Sequence, residues 1–256
     1  MAIGLVGSEM CIRDRVYIYP SHDIDAGIPF NDNGDHFGMR DYHAYTMESP
    51  DDKLATDLGK ILDIDEVPWA KRQMWAPDIA RKGDKYYFYF PAKDKDDIFK
   101  IGVAIGDSPS GPFTPDPKPI EGSYSIDPAV FNDNGNYYMY FGGLWGGQLQ
   151  KYRNNIYSKG NELRSDDDFA FGPLVAELSD DMRGFSTSPE EIIIQDENGK
   201  PLLAGDNSRR YFEGPWVHKY NEKYYLSYST GDTHFICYAI GDLSLIHISE
   251  PTRPIA

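Results

Sequence analysis

A short phrase occurs three times in this chain, and the repetition constrains the fold more than any other feature. In each copy a proline stands nine residues before the first aromatic residue of a run that is rich in Tyr and Phe. The prolines are Pro77, Pro128 and Pro215, and the runs occupy residues 86–90, 137–141 and 224–228. A fixed internal period indicates stacked copies of one supersecondary unit. The chain is therefore predicted to be built from repeats.

The residues around the phrase indicate what the repeated unit is. In each copy a short apolar stretch runs into a turn that contains Gly or Asn, and the aromatic run follows. Two β-rich runs joined by such a turn are typical of a β-hairpin. A third β-rich stretch comes later, at residues 100–105 in one copy and 236–240 in another. Several strands per copy, without a convincing amphipathic helix, predict an all-β fold and favour a β-propeller over a sandwich.

Two of the three copies carry a carboxylate just ahead of the proline. These carboxylates belong to Asp127 and Glu213, while Trp75 and Ala76 stand at this place in the remaining copy. In a propeller, equivalent positions of successive blades converge on the central axis. We therefore expect Asp127 and Glu213 to face each other in one pocket.

Carboxyl groups that share a pocket suit the hydrolysis of a glycosidic bond with inversion. One carboxylic acid protonates the leaving oxygen, and one carboxylate activates water. The acid must keep its proton near neutral pH, and burial together with a nearby negative charge raises its pKa enough to do so. Asp127 and Glu213 fit a tuning neighbour and the acid that it tunes. The base would stand at about position 6, which Val6 occupies.

The two ends of the chain can be encoded by complementary DNA. Residues 9–14 can be read from GAG ATG TGT ATA AGA GAC, and residues 243–248 from CTG TCT CTT ATA CAC ATC. These sequences overlap as opposite strands of one duplex, so we interpret both ends as translated adapter and exclude them from fold reasoning. Residues 1–15 and 243–256 are then artefacts. Residues 16–242 are predicted to be an incomplete catalytic propeller domain that lacks its first strand and its fifth blade.

Composition narrows the classes of partner. The formal net charge of −16 argues against nucleic acid and anionic membrane surfaces and fits a neutral substrate. Outside the predicted artefacts Cys237 is the single cysteine, so an intramolecular disulfide is not expected. A membrane-spanning stretch needs about 18 apolar residues, and the chain has no such run. The compartment stays open, with a secreted or periplasmic location favoured over a cytoplasmic one.

Three motifs resemble, in order as well as content, the inner-strand motifs of glycoside hydrolase family 43. They lie at residues 75–78, 125–131 and 213–216, and the segments 16–23 and 228–234 add to the likeness. The resemblance implies a five-bladed β-propeller, here truncated to about four blades. It also implies inverting, exo-acting hydrolysis of β-xylosides or α-L-arabinofuranosides of plant hemicellulose. The expected partner is a xylo- or arabino-oligosaccharide.

The same resemblance assigns roles to individual residues. It makes Asp127 the modulator of the acid's pKa and Glu213 the general acid. Because the expected base Asp is missing, the fragment itself is predicted to be inactive. No cofactor is expected, although the intact family leaves room for a structural calcium near the propeller axis.

Four further side chains are candidates for substrate binding, each beside a structural alternative. Trp75 could stack on a sugar ring or fill a core or inter-blade position. Arg210 could bind substrate hydroxyls or form a surface ion pair. His22 could line the rim of the pocket or cap a turn. Trp145, among glycines, could close the pocket or pack under its loop.

Two segments depart from the repeat. Residues 151–208 are predicted to form a long surface insertion followed by outer strands, with a hairpin around residues 196–199. Residues 25–41 are rich in Gly and Asp, and are predicted to be a loop that lies beside the pocket. The missing strands should leave unpaired sheet edges, through which the fragment could self-associate.

Other functions remain open at this point. A non-catalytic propeller could use the same pocket to bind sugar without hydrolysing it, and a true absence of the base would favour that alternative. A related five-bladed family that acts on fructosides or mannosides shares the architecture. A protein-interaction propeller lacks support, because the chain has no Trp-Asp repeat signature.

Overall fold

The computed structural model describes residues 7–12, 15–231, 235–241 and 247–249, and its regular elements are almost all β-strands. Within those residues, helical structure is confined to single 3-10 turns at Ile64–Glu66, Trp145–Gly147 and Leu149–Lys151. The predicted all-β class is thus confirmed. None of the helical turns in the described part of the chain is long enough to span a membrane. The chain divides into two compact units, one ending at Pro128 and the other beginning at Ala129.

The first unit contains two four-stranded antiparallel sheets. The strands of the first sheet, in spatial order, are β1 (Gly7–Ile12), β2 (Arg15–Pro20), β3 (Asp41–Met47) and β4 (Thr56–Asp63). Those of the second are β5 (Asp78–Lys82), β6 (Lys85–Lys93), β7 (Phe99–Gly106) and β8 (Thr114–Pro115). The two sheets share one apolar core.

Aromatic rings fill that core because the strands present Tyr and Phe on the faces that meet. Phe88 of β6 packs edge-on against Tyr42 of β3 and Tyr19 of β2, with ring centroids 5.0 and 5.7 Å apart. The hydroxyl of Tyr19 donates to the carbonyl oxygen of Pro109 at 2.6 Å. The polar end of Tyr19 is therefore satisfied while its ring supplies apolar area to the core.

The second unit contains the remaining strands. They are β9 (Ala129–Asp133), β10 (Asn136–Phe141), β11 (Tyr152–Arg153), β12 (Ile156–Tyr157), β13 (Leu174–Glu177), β14 (Glu190–Glu191), β15 (Ile193–Gln195), β16 (Glu213–Tyr220), β17 (Lys223–Thr230), β18 (Phe235–Gly241) and β19 (His247–Ser249). One sheet has the order β14-β13-β10-β9, another has the order β15-β19-β18-β17-β16, and β11 pairs with β12. The two larger sheets contact each other where Tyr224 donates to Asp133 Oδ2 at 2.7 Å.

All three hairpins predicted from the repeated phrase are present. They are formed by β5 with β6, β9 with β10, and β16 with β17. The turn residues Asn134 and Gly135 both have positive φ, as do Asn221 and Glu222. Two central residues of positive φ match the twist of the flanking strands, which is why such turns join tight hairpins. The third strands are β7 and β18, close to their predicted bounds.

The predicted insertion is more closely tied to the repeat than expected. The third strand of the middle copy is β13, which pairs with β10 although residues 142–173 separate the two in sequence. The predicted hairpin around residues 196–199 is confirmed by the antiparallel bridge between Gln195 and Pro201. The segment 151–208 therefore contributes β13, which pairs directly with the aromatic strand of the middle copy, in addition to outer strands.

The expectation of an unpaired edge is wrong at β2, where β1, formed by residues of the predicted adapter, pairs along its whole length. At β18, the described residues show a single pair with β19, between Ile240 and Ser249, and β19 also pairs in parallel with β15. An exposed edge offers backbone donors and acceptors to any strand that passes, whatever its side chains. Val6, the expected place of the base, lies outside the described residues, as do residues 232–234 of the last family motif.

Candidate active site

Asp127 lies at the end of the first unit in a strained and buried segment. The residue is 5% exposed, and its backbone φ is +57°. Ser125, two positions earlier, is fully buried with a φ of +65°. A left-handed conformation at a residue other than Gly costs roughly 1–3 kcal/mol, and such strain clusters at functional sites. Burial and strain together favour a functional carboxylate over an ordinary exposed turn residue.

Trp75 is half-buried and is held by both backbone and ring contacts. Its amide donates to the carbonyl oxygen of Pro91 at 3.2 Å, and its carbonyl oxygen accepts the hydroxyl proton of Tyr42 at 2.5 Å. The indole lies 3.9 Å from the ring of Phe37, measured between centroids, and 5.9 Å from that of Phe99. One part of the ring is thus fixed by packing while the rest stays accessible, as a sugar platform requires.

His22 follows β2 on the surface of the first unit and pairs with Asp41. Its Nδ1 atom is 2.7 Å from Asp41 Oδ1, and its ring meets that of His43 edge-on at 6.2 Å. At the neighbouring Asp23, desolvation by surrounding atoms raises the pKa of the carboxyl, while His22 and His36 act to lower it. The pair with Asp41 fixes the imidazole at the end of its strand, a geometry that both the rim and the cap alternatives allow.

Residues 25–41 form a loop that is anchored by Arg72 and Gln73, which precede β5, and by Lys93 at the end of β6. Gln73 donates from Nε2 to the carbonyl oxygens of Gly34 and Phe37, at 2.6 and 2.8 Å. Asp35 accepts from Arg72 at 2.9 Å and from Lys93 at 3.4 Å. Because Phe37 packs on Trp75, these contacts also fix the surroundings of the indole.

The charged side chains that anchor this loop, Asp35, Arg72 and Lys93, shift one another's pKa values. Burial acts to raise the pKa of Asp35, but the hydrogen bond from Arg72 and the charge of Lys93 outweigh it and hold that pKa below its ordinary value. Burial and the charge of Arg72 lower the pKa of Lys93, which Asp35 partly opposes.

We expect Asp35→Asn to lower the free energy of unfolding at neutral pH and to make that free energy depend less on pH in the acid range. A carboxylate whose pKa is depressed in the folded state stabilises that state above its unfolded pKa, and this stabilisation is lost as pH falls through the folded pKa. Hydrogen bonds to charged groups contribute about 1.5–3 kcal/mol, so the variant should lose about that much at pH 7 and much less near pH 3. Urea denaturation at both pH values measures the difference. Asp51→Asn, at an exposed position, is the control and should have the same free energy of unfolding as the unmodified chain at both pH values.

Glu213 begins β16 in the second unit and is half-buried. It pairs with Ser229 across the hairpin, and the register shifts between Glu213 and Trp216. Gly214 within this bulge has a φ of +66°, which only glycine adopts at little cost. Bulges re-aim side chains at the rims of sheets, so the local backbone directs Glu213 differently from the rest of the strand.

The other two candidates of the second unit lie close to Glu213. Arg210 is buried, which contradicts the alternative of a surface ion pair, and its Nε donates to Asn207 Oδ1 at 2.8 Å. Trp145 opens a 3-10 turn, and its neighbour Leu144 donates from its amide to the carbonyl oxygen of Phe212 at 3.0 Å. The glycine-rich loop with Trp145 is therefore tied to the residue that precedes Glu213.

The structure thus assembles two groups of candidates. In the first unit, the hydroxyl of Tyr42 donates to the backbone of Trp75, and burial together with the charge of Asp23 raises the pKa of that hydroxyl. In the second unit, the backbone contact at Phe212 connects the loop of Trp145 to Glu213. Asp127 belongs to the first unit and Glu213 to the second, and their proximity stays a prediction.

Sequence reasoning missed the residues that support Trp75. Phe37, Gln73 and Lys93 were not singled out, since a Phe in a loop and a polar residue beside a strand have many ordinary explanations. The one available signal was a lysine at the end of a long apolar strand, where burial demands a partner. Within the described ranges no three His, Cys, Asp or Glu side chains are arranged to hold a metal.

The chain is similar in sequence to known glycoside hydrolases. The family model for "Glycosyl hydrolases family 43" matches residues 47–242. A "Xylosidase/arabinosidase" of Bacteroides ovatus is 56% identical over 229 residues, which cover 89% of this chain and 70% of that protein.

Solved structures agree with the sequence match. The structure of the RS223 β-xylosidase superposes with a TM-score of 0.93 at 52% identity, covering 98% of this chain and 77% of that one. CoXyl43, a β-xylosidase/α-arabinofuranosidase from a compost microbial metagenome solved with xylotriose, gives a TM-score of 0.92 at 56% identity, covering 97% of this chain and 76% of that one.

Proposed function

The chain belongs to family 43 of the glycosyl hydrolases, and we propose that its native part comes from an inverting, exo-acting glycosidase of plant hemicellulose. The proposed substrates are β-xylosides or α-L-arabinofuranosides. One observation carries the proposal: two relatives described as xylosidase/arabinosidase are 56% identical to this chain over alignments that cover 89 and 90% of it. A neighbour solved with xylotriose supports an oligosaccharide as the partner.

We propose a five-bladed β-propeller for the parent protein, with about four blades present here. The three hairpins of the repeat and the all-β content support this architecture. Residues 1–15 and 243–256 are proposed to be adapter sequence on the ground of their complementary codons, and residues 16–242 the incomplete catalytic domain.

In the proposed reaction Glu213 is the general acid. It gives its proton to the leaving oxygen as the glycosidic bond breaks, while a base removes a proton from the water that attacks the anomeric carbon. The buried Asp127 is the proposed modulator, which keeps the pKa of the acid high through its negative charge. The reaction needs carboxyl groups and water alone, so no cofactor is proposed.

Four side chains are proposed to hold the sugar. Trp75 supplies an aromatic face for the pyranose C–H groups, and His22 lies at the rim of the pocket. Arg210 and Trp145, beside Glu213, bind hydroxyls and close the pocket. Because Val6 stands where the base is expected, the fragment as written is proposed to be inactive.

The test is to recover the uncontaminated parent gene and assay its product. We expect hydrolysis of chromogenic xyloside or arabinofuranoside, with proton NMR showing inverted configuration in the first-formed sugar. An Asp at the position of Val6 supports catalysis. A product that binds xylotriose without hydrolysing it, and that lacks this Asp, would instead support the non-catalytic sugar-binding propeller.

We also propose that the fragment self-associates, although through a face rather than through open edges. Trp216, Tyr220 and Ile236 are exposed on the sheet β16-β17-β18, at 41, 63 and 52%. Apolar surface of this kind marks interaction sites.

Sedimentation velocity should therefore show a mass that rises with protein concentration. The double variant Tyr220→Lys with Ile236→Lys should sediment as a monomer, because two charges cannot be buried cheaply in an apolar contact. Leu54→Lys, at another exposed apolar residue, is the control and should associate like the unmodified chain. The proposal is contradicted if the unmodified chain stays monomeric at every concentration.

A further inference from the structure

A cavity of about 500 Å³ lies in the second unit, and none of the residues given catalytic roles lines it. Neither Asp127, Glu213, Trp75 nor Trp145 lines it. The lining comes from the segment 163–171, from β14 and β15, from the residues after the hairpin at 196–199, and from Arg153 and Tyr211. Volumes of this size are typical of small-ligand sites.

The floor of the cavity is rigid. The guanidinium groups of Arg164 and Arg153 lie over the ring of the buried Phe171, at 4.0 and 4.9 Å from its centroid. Arg164 donates to the carbonyl oxygens of Phe169 and Ala170, at 3.2 and 3.0 Å. Arg153 donates in the same way to neighbouring backbone carbonyls. A floor held by so many bonds needs little reordering when a ligand binds.

Formal charge in the lining is balanced. Glu191 accepts from Arg164 at 2.9 Å and from the amide of Gly172 at 3.0 Å. Hydrogen bonds from the hydroxyl and amide of Ser165 hold the pKa of Asp168 below its ordinary value, so this carboxyl is ionised at neutral pH. Two guanidinium groups therefore face two carboxylates. A lining without excess charge, in a chain of net charge −16, suits a neutral ligand with many hydroxyls.

An exposed aromatic ring forms one wall. Phe169 is 58% exposed, yet its backbone is fixed by a bridge to Leu203 and by the bond from the Ala170 amide to the carbonyl oxygen of Leu202 at 2.7 Å. A fixed ring with a free face beside hydrogen-bonding groups matches the two-sided chemistry of a sugar, whose C–H face is apolar and whose edge is polar.

We propose that this cavity is a second, non-catalytic site for a neutral xylo-oligosaccharide, with Phe169 as its stacking platform. The choice of pentose oligomer rests on the proposed function; the site itself rests on the cavity. Such a site would hold a polymeric substrate on the enzyme between successive exo-cleavages.

The test is a calorimetric titration of the whole chain with xylohexaose. The unmodified chain and Trp75→Ala should both bind, because the second site does not include Trp75. Phe169→Ala should weaken binding on the order of tenfold, the factor that corresponds to an aromatic contact of about 1.4 kcal/mol. Leu54→Ala, at an exposed apolar residue of the other unit, is the control and should bind like the unmodified chain.

Several results would overturn the inference. They are no binding by the unmodified chain, unchanged affinity in Phe169→Ala, loss of all binding in Trp75→Ala, and equal affinity for maltohexaose. Circular dichroism of each variant verifies the fold. The titration involves no hydrolysis, so its failure is distinct from failure of the proposed glycosidase, which the assay of the parent product decides.

Discussion

Glu213→Gln in the proposed full-length parent enzyme should lower kcat on xylobiose by about 10²–10⁴-fold, the usual contribution of a positioned proton donor. The amide keeps the size of the side chain but cannot give a proton to the leaving oxygen. Substrates with a strongly acidic leaving group need less protonation, so a dinitrophenyl xyloside should lose far less activity. The ratio of the two losses, measured by steady-state kinetics, isolates the role of the acid.

Glu222→Gln is the matched control for this variant. Glu222 lies in the turn of the same hairpin and its side chain is 94% exposed, so its loss should leave both rates unchanged. Full activity of Glu213→Gln on xylobiose would refute the assignment of the acid. An equal loss on both substrates would show that the change disturbed binding or folding instead.

Phe88→Ala should cost about 3–5 kcal/mol of the free energy of unfolding. Phe88 is fully buried between the two sheets of the first unit and contacts Tyr19, Tyr42 and Phe113, the last at 5.2 Å between centroids. Removing the ring leaves a cavity that rigid neighbouring rings cannot fill. Urea denaturation measures the loss as a lower midpoint at an unchanged slope.

Phe30→Ala removes the same atoms from a residue that is 81% exposed. Its midpoint should stay within about 0.5 kcal/mol of the unmodified chain, as for most surface substitutions. Similar midpoints for the two alanine variants would show that the core around Phe88 does not limit stability.

The hairpins could be predicted because their information is local. Turn residues that accept positive φ, such as Asn134 and Gly135, stand directly between two aromatic strands in the sequence. The pairing of β13 with β10 could not be predicted, because thirty-odd intervening residues carry no periodic signal for it. Which strands close a sheet across such a distance depends on competition among many edges.

In the candidate site, too, features that depend on nearby residues could be predicted and those that depend on distant segments could not. Asp127 and Glu213 could be singled out because each precedes a repeated proline, although their roles remain proposals. The burial of Arg210 and the anchoring of the loop by Lys93 could not be predicted from the sequence, since both depend on segments that are far apart along the chain.

The sequence by itself determined the repeated hairpins, the family and the choice of two acidic residues, because turn chemistry and residue order are read within a few positions. The tertiary structure alone decided that β1 covers the edge of β2. It also decided that Asp127 is buried with a strained backbone, and that two arginines lie over the ring of Phe171. Strand edges accept partners through backbone groups, and burial depends on what distant segments bring, so neither is written in any one stretch of sequence.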